Sequence, residues 1–120
     1  MITHRSQPPD IIDAIMETNR RLTRLLEDLE AQIRSRAEAE ERYEGVYYKS
    51  LISFVDGGAN VTTAKAMTLA IDHTRELKTA FEIAKGIEDM LKKKIRAFET
   101  SIESLRSLLS FQKNKMERGV

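Results

Sequence analysis

Between residues 67 and 116, apolar side chains recur every seven residues in two interleaved rows, and this pattern restricts the fold more than anything else in the chain. One row reads Met67, Thr74, Phe81, Glu88, Ile95, Ile102, Leu109 and Met116. The other reads Ala70, Leu77, Ala84, Leu91, Phe98, Leu105 and Gln112. Twelve of these fifteen positions are apolar. Alternating steps of three and four residues hold both rows on one side of an α-helix, so the segment predicts a long helix with a seam for other helices.

The turn signals are concentrated at Asp56-Gly57-Gly58-Ala59-Asn60. Two adjacent glycines supply the positive-φ positions that end one helix and reverse the chain. Thr62 is the predicted N-cap of the second helix, with Val61 stapled onto Ala66. Upstream, Pro8 and Pro9 suit a first helical turn, and Asp10 and Asp13 suit the positive end of a helix dipole. Ile11, Ile12, Ile15, Leu22, Leu26, Leu29 and Ile33 then recur at helical spacing. The stretch from Arg34 to Glu44 is mostly charged and predicts a solvated, bent or lightly packed region. Apolar residues resume at Val46, Tyr47, Leu51, Phe54 and Val55, with Gly45 a candidate kink or close approach.

These signals predict an all-α fold: a long antiparallel helical hairpin with helices at about 9–55 and 62–117 and a turn at 56–61. Residues 1–8 form a flexible N-terminus, and 9–118 form a single domain. The short turn predicts Leu51 near Ala66, Ile33 near Ala84 and Leu22 near Ile95.

Composition agrees with a long-helix protein, 41% hydrophobic and 32% charged, with no Trp. The absence of Cys excludes disulfides and thiolate chemistry. No apolar run approaches the roughly 20 residues that span a bilayer, and the first ten residues lack a secretory apolar block. The expectation is a soluble cytoplasmic protein with no membrane partner. Residues 1–60 hold 8 Lys+Arg against 11 Asp+Glu, or −3, whereas residues 61–120 hold 12 against 8, or +4. Antiparallel pairing of the two halves is the simple account of that asymmetry.

The apolar arc of the second helix is wider than one partner helix needs. Beside the seam lie Ala80, Ile87 and Leu108, then Leu69, Ile83, Met90 and Phe111. We therefore predict a homo-oligomer, a helical bundle with Ile83, Met90, Ile87, Leu108, Phe111 and Met116 as its oligomer or partner interface.

Chemistry-bearing patterns are sparse, and the chain reads as a non-enzyme with no catalytic residue, metal site or cofactor. The two histidines are His4 and His73. His73 has Asp72 and Glu76 nearby, but a di-iron bundle requires two Glu-x-x-His elements. The opposite flank of the second helix is basic: Lys78, Lys85, Lys92, Arg106 and Lys113, interrupted by Ile71 and Glu99, with Lys93 and Lys94 beside them. Such a row is a candidate nucleic-acid contact, or a solvated face balanced by Glu27, Asp28 and Glu30. Tyr43, Tyr47, Tyr48 and Lys49, with Thr62 and Thr63 at the start of the second helix, form a candidate ligand site for a phosphate or nucleotide. The alternative for those tyrosines is core packing with a wet hydroxyl.

Gly58-x-x-Val61-Thr62-x-Ala64-Lys65-Ala66, followed by a long helix ending Ile102-Glu103-Ser104-Leu105-Arg106-Ser107-Leu108-Leu109-Ser110, resembles small helical proteins of phages and prophages. Those proteins tend to be encoded beside early recombination and replication genes. The resemblance covers residues 43–116. The family has no settled activity, so the resemblance assigns no site residue. It implies a phage accessory or adaptor protein in the host cytoplasm. Such a protein binds another protein through helical surfaces, either a recombination or replication component or a host factor that it inhibits. Two alternatives stand beside it: a nucleic-acid-binding accessory protein using the basic row, and a nucleotide-sequestering counter-defence protein. A scaffold role in virion assembly also fits a long hairpin.

Overall fold

The computed structural model of this chain describes residues 8–117. The flexible segment expected at 1–8 therefore lies, apart from Pro8, outside the described residues, as do His4 and residue 118. The described residues form three helices and no strand: α1 (Pro8–Asp56), α2 (Val61–Ala70) and α3 (Asp72–Glu117). The all-α expectation is met.

α1 runs without interruption through the charged stretch and through Gly45. A Cβ at Gly45 would meet nothing within 4 Å, so this glycine marks no close approach, and α1 stays helical through it. α1 ends in a Schellman motif. Gly58 N–H donates to the Val55 carbonyl at 3.0 Å, and Ala59 N–H donates to the Phe54 carbonyl at 3.1 Å. Gly58 carries the positive φ of 101° that this motif requires, a value costly for any residue with a Cβ. α2 begins at Val61, one residue earlier than expected. Asn60 is consequently its N-cap, not Thr62, with the Asn60 Oδ1 accepting from Thr63 N–H at 2.8 Å. Val61 lies inside the helix and is exposed, so the expected staple onto Ala66 does not form.

The expected single helix at 62–117 is broken at Ile71. Its backbone is extended (φ −72°, ψ 125°), and its N–H donates to the Thr68 carbonyl at 3.3 Å. A new helix opens at Asp72, where Arg75 N–H donates to the Ile71 carbonyl. The reason lies in which face is buried. α2 buries Ala64 and Thr68, whereas α3 buries the heptad rows from Thr74 onward. Those two faces differ by roughly a third of a turn on a regular helix, at about 100° per residue. One extended residue re-phases the chain. Met67 and Ala70, predicted seam positions, are exposed as a result.

Contacts gather the chain into two units. The first takes in α1 as far as Leu29 and α3 from Leu91 onward. Ile11, Ile95 and Ile102 are its buried side chains. Asn19 and Leu22 of α1 line one groove with Glu99, Ile102, Glu103 and Arg106 of α3. The second unit is Glu30–Met90. There Gln32 Nε2 donates to the Ala84 carbonyl at 2.9 Å, one residue from the expected Ile33–Ala84 neighbours. Tyr43 stacks on Phe81 with ring centroids 6.1 Å apart. Its buried side chains are Ala39, Ala64, Thr68, Thr74 and Glu88.

α1 contributes two heptad rows: Ile11, Thr18, Leu25, Gln32, Ala39, Val46, and Ile15, Leu22, Leu29, Arg36, Tyr43, Ser50. Every member is buried or half-buried. Ile12, Leu26 and Ile33, read from the sequence as part of the apolar face, are exposed instead. Ile33 flanks the seam because polar Gln32 holds the seam position, while Ile12 and Leu26 lie beside the seam residues Ile11 and Leu25.

Candidate interaction surfaces

A polar cluster sits in the seam of the unit Glu30–Met90. Arg36 Nε donates to Glu88 Oε1 at 3.0 Å, and its Nη1 donates to Glu40 Oε2 at 2.7 Å. The Glu88 side chain is 8% exposed, that of Arg36 27% and that of Glu40 35%. The hydrogen bond to Glu88, followed by the bond to Glu40, holds the Arg36 guanidinium above its ordinary pKa. Glu88 interrupts the apolar heptad row, and its carboxylate is tolerable there because Arg36 comes from the opposing helix. Displacing one helix by a turn would separate Arg36 from Glu88, so the pair favours this register. Arg36 thereby joins a carboxylate of its own helix, Glu40, to Glu88 of the other.

The sequence-predicted ligand site is dispersed among other duties. Tyr43 is packed into the seam, and its phenol is held above the ordinary pKa by burial and then by the neighbouring charge of Tyr47. Tyr47 contacts Tyr43 at 5.8 Å and Tyr48 at 5.2 Å between ring centroids. Tyr48 is exposed. Thr62 and Thr63 are exposed in the first turn of α2, and the Thr63 N–H already serves Asn60. Among the described residues no hydrogen bond joins Thr62 or Thr63 to the tyrosines. Lys49 lines two open grooves, one with Ser50, Ser53, Phe54 and Ile71, the other with Val46, His73 and Leu77. His73 is an exposed rim residue of the second groove.

The basic row lies on α3. In the unit Glu30–Met90, Lys78 approaches Glu82 at 4.0 Å, while Lys85 is exposed with no ion pair among the described residues. In the other unit, Lys92, Lys93, Lys94, Arg106 and Lys113 are exposed. The acids proposed to balance them act elsewhere in at least one case, since Glu30 accepts from Arg34 of its own helix at 2.8 Å.

The apolar flank is also on α3. Ile83, Ile87 and Met90 are 59%, 38% and 48% exposed in the unit Glu30–Met90. In the other unit, Phe111 and Met116 are exposed and Leu108 is half-buried. Sequence reasoning found this flank but missed Ile52, and it read Val55 as part of the apolar pattern of the first helix; α1 leaves both exposed near its C-terminus. The Leu51-Ile52-Ser53-Phe54-Val55 run has more apolar residues than one helix face can bury, and that surplus was the available signal. No described helix is long and apolar enough to cross a membrane. Comparison of the chain with protein families, with curated proteins and with solved structures finds no match.

Proposed function

We propose that this chain is a non-enzymatic helical adaptor that associates with a second copy of itself and with a protein partner through the apolar flank of α3. The observation that carries this reading is the exposure of Ile83, Ile87 and Met90 at helical spacing beside a seam already occupied by α1. Three large apolar side chains on one helix face form the pattern that a partner helix reads in groove or bundle recognition. With the resemblance of residues 43–116 to small phage and prophage proteins as support, we take the partner to be a recombination or replication component, or an inhibited host factor. Ile83→Glu combined with Met90→Glu tests the reading. In sedimentation experiments and in affinity capture, this double variant should weaken association by about 30-fold or more, the scale of a central hot spot. A wild-type chain that stays monomeric across a wide concentration range and captures no stoichiometric partner would end the proposal.

Nucleic-acid contact is a second reading, favoured by the exposure of Lys85, Lys93, Lys94, Arg106 and Lys113 and by their lack of ion pairs among the described residues. Exchanging Lys85 and Lys93 for Glu should then weaken binding to labelled DNA and flatten its salt dependence. Unchanged affinity would remove that reading.

A further inference from the structure

We infer that the segment from Val61 to Leu77 is a two-state element: α2 and α3 exchange between the bent arrangement at Ile71 and one continuous helix. The same ten residues of α2 carry two alternative faces. Ala64 and Thr68 are buried in the bent form. Met67 and Ala70, exposed in that form, stand at the seven-residue steps that continue the α3 seam through Thr74 and Leu77. Straightening Ile71 exchanges one pair of buried small or apolar residues for another, so neither arrangement commands a large excess of buried surface.

Nothing in the sequence forbids the continuous form. The break rests on a single residue in ordinary extended backbone, and residues 61–85 contain neither Gly nor Pro. The hydroxyl of Thr74 supplies an independent observation. Thr18, Thr23 and Thr68 each donate to the carbonyl four residues back, those of Ala14, Asn19 and Ala64, at 2.7, 3.0 and 2.8 Å. The equivalent acceptor for Thr74 is Ala70, the last residue of α2. Thr74 Oγ1 is fully buried and is the one buried side-chain polar atom without a hydrogen-bond partner among the described residues. A continuous helix returns the Ala70 carbonyl to it. The bent form therefore leaves one buried hydroxyl unsatisfied that the straight form satisfies.

The consequence is a change in what α2 presents. In the bent form Met67 faces outward; in the straight form it enters the seam, and Thr68 turns out. A partner that reads either face shifts the balance toward that form.

The natural absence of Cys permits paired spin labels at exposed Thr62 and Thr79 of the full chain. A continuous helix sets these backbone positions about 26 Å apart, and the bend brings them closer. We expect pulsed dipolar spectroscopy to resolve both populations. Ile71→Ala should enrich the longer distance by about two-fold, from the helix-propensity difference. Asp72→Pro suits the first turn of α3 and keeps the preceding residue extended, so it should remove the longer distance and retain the shorter. Helix content measured on the same samples separates rearrangement from unfolding. A longer population seen only with Ile71→Ala supports the inference. A single short distance in the wild-type chain, unchanged by Ile71→Ala, overturns it; should that variant fail to fold, a wild-type chain showing only the short distance overturns it alone.

Discussion

The two units solve the problem of packing helices with different materials. The unit containing Ile11, Ile95 and Ile102 buries branched aliphatic side chains, whereas Glu30–Met90 buries Ala39, Ala64, two threonines and Glu88. The first gains area: each fully buried aliphatic side chain contributes about 1.5–3 kcal/mol. The second gains specificity. Small residues bury little, and the Arg36–Glu88 and Gln32–Ala84 contacts can be made in only one register. A seam made wholly of Ile and Leu would tolerate sliding by a heptad. A seam containing one paired carboxylate does not.

Four substitutions or titrations sharpen this contrast, from the largest effect to the smallest. Ile102→Ala should cost about 2–4 kcal/mol in urea unfolding, by loss of transfer energy and creation of a cavity. Loss below about 1 kcal/mol would mean the first unit does not depend on its aliphatic seam. Removing the ion pair altogether should act oppositely: the double variant Arg36→Leu with Glu88→Leu should melt above the wild type, while either single change melts below the double. A double variant less stable than wild type would make the cluster a source of stability as well as of register.

Gly45→Ala tests the backbone between these contacts. Gly45 is an exposed position within α1 with open space about it, so alanine should stabilise by about 0.5–1 kcal/mol. A loss there would show that the glycine has a use the packing does not reveal. Alkaline titration gives the smallest signal. Because burial raises the Tyr43 pKa above its ordinary value of 10.0, the folded state disfavours the tyrosinate. That contribution is complete below the unfolded pKa and is lost as pH rises through the folded one. Tyr43→Phe should therefore abolish the raised tyrosinate step in ultraviolet absorbance and lessen the loss of stability above about pH 10.

The same contrast explains what could be read from the sequence. The α3 seam from Thr74 to Gln112 was legible because its rows are mostly apolar, and periodicity detects apolar positions. The α1 seam was legible only in part. Thr18, Gln32, Arg36 and Ser50 occupy seam positions, while Ile12, Leu26 and Ile33 lie beside it, so the hydrophobic pattern pointed to a neighbouring face. The Arg36–Glu88 pair joins residues far apart in sequence, and neither looks like a core residue by type. Ile71 was invisible for another reason. Helix breaks are read from Gly and Pro, and this one arises from competition between two buriable faces. The exposure of Ile83, Ile87, Met90, Phe111 and Met116 on α3 was legible because they are surplus to a seam that could be counted, although Leu108 is half-buried; the tyrosine cluster resembled a ligand site only until Tyr43 was seen against Phe81.

The central claim is that the α3 flank is an occupied interface. A photo-reactive side chain introduced at Ile87, with the same group at exposed Glu38 of α1 as reference, tests it in the purified chain and in cell extract. Discrete covalent adducts at Ile87, formed with a second copy or a single partner and weak or absent at Glu38, are the predicted result. Equal, diffuse labelling at both positions would contradict the account.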